Sequence, residues 1–285
     1  MAYYRPKTVM EALMILEREG DRLRPVAGCT DISVLKEEKK LDRHSFLDLS
    51  YIKELKFIEE RDGYIYIGPL STHGEIAGLD LINQKANVLA SACASVGSPQ
   101  VRNRGTIGGN ICHASPSGDS IPALYTLNAE FRLESKGKSR FVKASDFFTG
   151  PGKTVRTDQE LLTAIRFKPL ENTYFSDFIK LGQRKALACA KVSMAFCANI
   201  TGNKLEDVRI SLGAVAPTVV RTPKTEEYLN GKEISDEVVK EACEIITTEV
   251  TPITDLRSTD KYRRQMAGVL LEKLINKGVK NAVVS

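Results

Sequence analysis

Residues 95–124 read SVGSPQVRNRGTIGGNICHASPSGDSIPAL, and the centre of that run, residues 106–110, is TIGGN. Two adjacent glycines sit between a hydroxyl and an amide side chain, after two arginines and no lysine, and a Ser/Pro/Gly/Asp loop follows. Glycine has no Cβ, so backbone N–H groups beside it approach an anionic oxygen closely, and consecutive inward N–H groups form an anion nest. TIGGN alone admits two readings, a tight turn or part of a phosphate cradle. No Gly-Lys-Ser/Thr follows and the G-x-G-x-x-G spacing is missing, which disfavours a P-loop and a Rossmann turn. A second small-residue loop, AGCTD at residues 27–31, ends 75 residues before Thr106. A dinucleotide carries two phosphates and a ribose. Two such loops, the hydroxyls of Thr30, Ser33 and Thr106, and a carboxylate such as Asp119 are about what it needs.

Outward from this run the pattern is α+β. Thr8 to Glu11 has the T-x-x-E form of a capping box, and Val9, Leu13 and Leu16 follow at helical spacing, predicting a helix that ends at Gly20. PVAGCTDISVLK predicts a strand, a tight loop and a helix, and SFLDLS a strand. KFIEERDGYIYIGPL is two alternating runs joined at Asp62-Gly63, a strong hairpin signal. LINQKANVLASACASVG is helix-like, AEFRLES and SRFVKAS form a second hairpin around Gly137, and ELLTAIRF is a further strand. The candidate domain boundary is at 168–173. Beyond it TYFSDFIKLG, KVSMAFCANI and DVRISLGAV predict a small antiparallel sheet. Two helices close the chain, one capped by Ser235 and one that Gly278 would stop.

Composition narrows the function. A length of 285 residues suits two domains, and no apolar run approaches the roughly 18 residues of a membrane span. The N-terminal stretch lacks the form of a secretory signal, so the expectation is a cytoplasmic protein with no membrane partner. Net charge is +5, but Lys and Arg alternate with carboxylates, which disfavours nucleic acid. The six cysteines have no C-x-x-C or close cluster, and His44, His73 and His113 are scattered. Neither set suggests a zinc, iron-sulfur or other metal site.

The stretches AGCTD, VGSPQVRNRGTIGGNICHASPSGDSIPAL and YRRQMAGVLLEKL resemble the FAD-binding medium subunit of the molybdenum hydroxylases, the xanthine dehydrogenase, carbon monoxide dehydrogenase and nicotinate dehydrogenase family. The resemblance runs through nearly the whole chain. It implies a vanillyl-alcohol-oxidase-type FAD domain over 1–171 in two α+β lobes, about 1–55 and 56–171, and a C-terminal domain of antiparallel sheet plus helices over 172–285. It places FAD contacts on Pro25, Val26, Ala27, Gly28, Cys29, Thr30, Asp31 and Ile32, and on Thr106, Ile107, Gly108, Gly109 and Asn110, the two loops meeting the pyrophosphate. Asp119 matches a carboxylate in polar contact with the cofactor, and Val96, Leu161 and Lys180 match positions lining the flavin site.

Relatives usually read A-G-G-T-D where this chain has Cys29, whose side chain disfavours φ > 0 and limits the approach of a phosphate. The expectation for Cys29 is a small buried residue, for His113 a loop residue, and for Arg102 and Arg104 surface or partner contact. The implied activity is an oxidoreductase subunit without acid, base or nucleophile of its own. Its FAD receives electrons from the 2Fe-2S clusters of a small iron-sulfur subunit. A large molybdopterin-binding subunit hydroxylates a purine or other N-heteroaromatic, NAD+ or another acceptor takes the electrons, and the assembly is a dimer of heterotrimers. A stand-alone flavin oxidase of the same fold and a non-enzymatic nucleotide-binding protein are the rival readings.

Overall fold

The computed structural model describes residues 2–37, 45–184 and 187–284. His44 and the Ser33 side chain lie outside the described residues.

The first lobe is a parallel sheet in the order β1-β3-β2, with β1 Tyr3–Tyr4, β2 Leu23–Val26 and β3 Ser45–Asp48, beside helices α1 Val9–Glu19 and α2 Ile32–Glu37. Thr8 caps α1 as expected, accepting from the Glu11 N–H, while Glu11 reaches back to the Lys7 N–H. The small-residue loop at 27–31 therefore leaves the carboxyl end of β2.

The second lobe is an antiparallel sheet in the order β4-β5-β10-β6-β7. Its strands are β4 Ile58–Arg61, β5 Tyr64–Ile67, β6 Glu130–Ser135, β7 Lys138–Lys143 and β10 Leu161–Phe167, with a two-stranded ribbon of β8 Phe148–Gly150 and β9 Lys153–Thr154. Asp62 and Gly63, both at positive φ, make the β4–β5 turn. Short helices connect the rest: α3 His73–Gly78, α4 Asp80–Lys85, α5 Asn87–Ala94, α6 Pro99–Arg102, α7 Ile107–His113, α8 Ser120–Thr126 and α9 Ala144–Phe147. The helix-like segment after Leu79 is thus two helices, because the backbone leaves helical geometry at Ala86 (φ −159°, ψ 48°).

The TIGGN segment differs from a free loop. Thr106 is the N-cap of α7, its hydroxyl accepting from the Gly109 N–H at 3.1 Å, and both glycines are helical. Gly108 allows that start: a Cβ there would lie 2.4–2.9 Å from Pro69.

The third unit is the antiparallel sheet β11-β12-β13-β14, with β11 Tyr174–Leu181, β12 Val192–Thr201, β13 Lys204–Gly213 and β14 Val220–Arg221. Helices α10 Pro223–Leu229, α11 Asp236–Thr248 and α12 Asp260–Val284 follow. Nearly every residue of β12 is buried because both faces are covered. Met194, Phe196 and Ala198 join a core with α11 and α12, whereas Ala195 and Cys197 join the second lobe's core.

Gly278 does not stop the last helix, which runs to Val284. A Cβ there would come within 2.8–2.9 Å of Phe175 and Ile200, so this glycine lets α12 lie close on the sheet.

The third unit docks on α5 and α8 through buried polar bonds. Thr126 and Ser211, both fully buried, bond at 2.5 Å, and Ser211 donates to the Pro122 carbonyl at 2.6 Å. Ser211→Ala removes both bonds, leaving Thr126 Oγ1 only the longer contact to the Ala195 carbonyl at 3.4 Å, and should cost about 1–3 kcal/mol of stability, read as a lower urea midpoint with an unchanged slope.

Candidate functional site

The glycine loops meet on one cleft of about 400 Å³, lying between the first lobe and the second. It is lined by residues 25–32 in full and by Val96, Thr106, Gly108, Gly109, Asn110 and Leu161, so most of the expected positions come together. Ile107 does not line it; that side chain is fully buried.

Contacts between backbone segments hold the cleft's shape. A Cβ on Gly28 would sit 1.9 Å from the Arg104 carbonyl oxygen, so only glycine permits this approach of the first loop to the second. The His73 N–H donates to the Gly105 carbonyl at 3.1 Å, and Thr72 pairs with Thr106. At the far end Asp31 Oδ2 is 2.9 Å from His113 Nδ1, a bond that pulls the Asp31 carboxyl below its usual range. His113 is therefore not an idle loop residue; it lies in the last turn of α7 and ties it to the first loop.

The two loops are chemically unequal. The N–H groups of Ile107, Gly108, Gly109 and Asn110 are taken by Ser71 O, Pro69 O, Thr106 Oγ1 and Thr106 O. Among the described residues the N–H groups of Gly28, Cys29 and Thr30 have no such acceptor. The nest expected of both loops thus rests on the first, and TIGGN contributes shape. Gly109 is exposed on the cleft with only its own cap, Thr106 Oγ1, within 4 Å of a Cβ.

Cys29 takes φ +58° in spite of its side chain, and it is exposed on the cleft, not buried. Partial burial and the carboxylates of Asp48 and Asp31 push its thiol up, so it is a poor nucleophile at neutral pH. Arg102 turns inward and donates to the Val96 carbonyl at 3.0 Å, while Arg104 is exposed as expected.

Asp119 and Lys180 do not line the cleft. Lys180 Nζ bonds Asp119 Oδ2 at 2.6 Å and the Ser95 carbonyl at 2.5 Å. Burial pushes the Asp119 carboxyl up to about 6, against the lowering influence of Lys180. Its Oδ1 is buried without a partner among the described residues.

His73, 2% exposed, was not singled out by the sequence. The readable signal was the Thr72–Glu75 capping box beside it, which starts α3. Burial pushes the imidazole down to about 4, so it is neutral at physiological pH.

Residues 1–169 match the model of the FAD binding domain in molybdopterin dehydrogenase, and residues 177–277 that of the carbon monoxide dehydrogenase flavoprotein C-terminal domain. The chain is a member of the molybdenum hydroxylase FAD-binding subunits. It is 32% identical to the glyceraldehyde dehydrogenase medium chain of Sulfolobus acidocaldarius, over 95% of this chain and 96% of that one. It is 30% identical to the carbon monoxide dehydrogenase medium chain of Hydrogenophaga pseudoflava, over 96% and 95%. The solved carbon monoxide dehydrogenase of that organism superposes with a TM-score of 0.93 at 29% identity, over 97% of this chain and 96% of that chain.

Two outcomes test the site in this medium subunit. Cys29→Gly relieves a left-handed side chain and should raise stability by about 0.5–1 kcal/mol, seen as a higher urea midpoint. His73 is harder to protonate folded than unfolded, so the unfolded chain holds more protons between about pH 6.5 and 4. Its contribution is lost as pH falls through that window, and His73→Gln should flatten the acid loss by about 3 kcal/mol relative to the parent.

Proposed function

We propose that this subunit holds FAD in the cleft and passes electrons from the 2Fe-2S clusters of a small partner subunit to NAD+ or another acceptor. A large molybdopterin-binding subunit would hydroxylate a purine or other N-heteroaromatic, the whole being a cytoplasmic dimer of heterotrimers. The observation that carries the cofactor reading is the pairing of free N–H groups at Gly28 to Thr30 with glycine-lined room at Gly109. A pyrophosphate needs both, and neutral donors suit it without a lysine. Bound FAD supplies the redox chemistry. The residues that would hold it are those of 25–32, Val96, Thr106, 108–110 and Leu161, while Ile107, Asp119 and Lys180, which do not line the cleft, would act only through their neighbours.

Each has a separate task. The first loop binds the anion, Thr106 and Gly108 fix the wall opposite, and Asp119, held by Lys180, stands outside the cleft lining with one oxygen unpartnered among the described residues. We divide the chain at about 171, between the end of β10 and the start of β11, into the FAD domain and the C-terminal domain. The relatives' names span glyceraldehyde, carbon monoxide, xanthine, nicotine and nicotinate, which supports leaving substrate choice to the partner.

Purified protein should be yellow, with flavin absorbance of ~1 FAD per chain, the cleft being of a size for one dinucleotide. Colourless protein that takes up no added FAD would sink the reading. Gly109→Val should lose flavin with little change in melting temperature, whereas Gly108→Val should destabilise the fold through Pro69. The isolated chain should not hydroxylate purines or other N-heteroaromatics; turnover by it alone would count against the relay role.

A further inference from the structure

His73 occupies a junction that no glycine motif marks. Its ring lies against the phosphate-side loops: a Cβ on Gly105 would be 3.4 Å from both His73 Cδ2 and Thr30 Oγ1. On its other side Nδ1 is 3.5 Å from Cys93 Sγ, at the end of α5. The next turn carries Val96, whose N–H donates to the Cys93 carbonyl, and Ser95, whose carbonyl takes Lys180. Asp119 is near enough to raise the Cys93 thiol electrostatically. His73 thus bridges the region that would meet the pyrophosphate and the region that would meet the flavin.

FAD has a fixed connectivity, and the segment between pyrophosphate and isoalloxazine is the ribityl chain, a polyol. His73 Nε2 has no partner among the described residues, and the cleft is the cavity that the ring lines. His73 as a whole is 2% exposed, but Nε2 is not among the buried polar atoms left without a partner, so it keeps contact with the cleft and is open to a ligand there. We propose that His73 holds the ribityl chain of FAD, its Nε2 exchanging a hydrogen bond with a ribityl hydroxyl; this rests on the FAD reading above.

The chemistry favours a hydroxyl over a phosphate as that partner. Cys93 is buried and keeps its proton, so its S–H can donate to Nδ1 and leave the ring proton on Nε2, or the tautomers can reverse. A hydroxyl both donates and accepts, and so satisfies Nε2 either way. A phosphate would draw a charged imidazole, which burial here opposes.

Two substitutions separate the ring's two nitrogens. His73→Asn keeps a polar atom near Nδ1 for Cys93 and removes the reach of Nε2, whereas His73→Gln keeps the reach of Nε2. The full-length chain freed of flavin is titrated with FAD by flavin fluorescence and with ADP by calorimetry, since ADP contains the adenosine and pyrophosphate but no ribityl. The expected result is a three- to tenfold weaker Kd for FAD in His73→Asn, an unchanged Kd for ADP, and near-parental FAD binding in His73→Gln. Unchanged FAD affinity in His73→Asn overturns the proposal, as does equal loss of ADP affinity or rescue by Asn and not Gln. A parent chain that binds neither ligand overturns the FAD reading itself, and this proposal with it.

Discussion

The approach of Gly28 to the carbonyl of Arg104 leaves no room for a side chain, since a Cβ would fall 1.9 Å from that oxygen. Everything else at the cleft follows from this contact between two backbones. It brings the loop after β2 against the segment before α7, although the two belong to different lobes. With the lobes fixed there, the Asp31 to His113 bond ties the first loop to α7, and the His73 to Gly105 bond steadies the second lobe's side of the cleft. The first loop is then free to aim its N–H groups at a ligand because TIGGN has spent its own on Ser71, Pro69 and Thr106.

Much of the fold was legible in the sequence because its signals are local. The Asp62-Gly63 turn, the Thr8 and Ser235 caps, and the strands ELLTAIRF and KVSMAFCANI all stand where pattern and turn chemistry put them. The family resemblance read from the two glycine loops and the late YRRQMAGVLLEKL agrees with the matched family models. What was not legible depends on partners distant in the chain. Paired glycines disfavour a helix, so α7 is visible only once Thr106 is seen to cap it and Pro69 to crowd Gly108. Gly278 read as a stop because its close neighbours, Phe175 and Ile200, are far away in sequence. Cys29 at φ +58° defies its own preference, and its thiol donates to the Ala27 carbonyl at 3.3 Å within the loop.

Charge inside the site is sparing. Asp119 and Lys180 meet beside the Ser95 carbonyl, so the pair fastens the C-terminal sheet to the loop leading into α8. Such a pair gives little net stability, since desolvation offsets attraction, but removing one partner strands the other. Its value lies in placing one carboxylate oxygen that has no partner among the described residues. The same sheet is buried on both faces, so Lys180 has little freedom to move away.

The seating of α12 on β11 and β12 has a bearing on how the protein is made. Residues 174–201 form the strands that Gly278 presses against, and those strands expose one apolar face until residues 260–284 have been synthesised. On the ribosome the first two lobes can fold ahead of the rest, as N-terminal units do. The sheet that carries Lys180 cannot be completed until α12 leaves the exit tunnel. Lys180, the counter-charge of Asp119, is carried by that sheet, so the ion pair depends on the seating of α12 as well as on its own two residues.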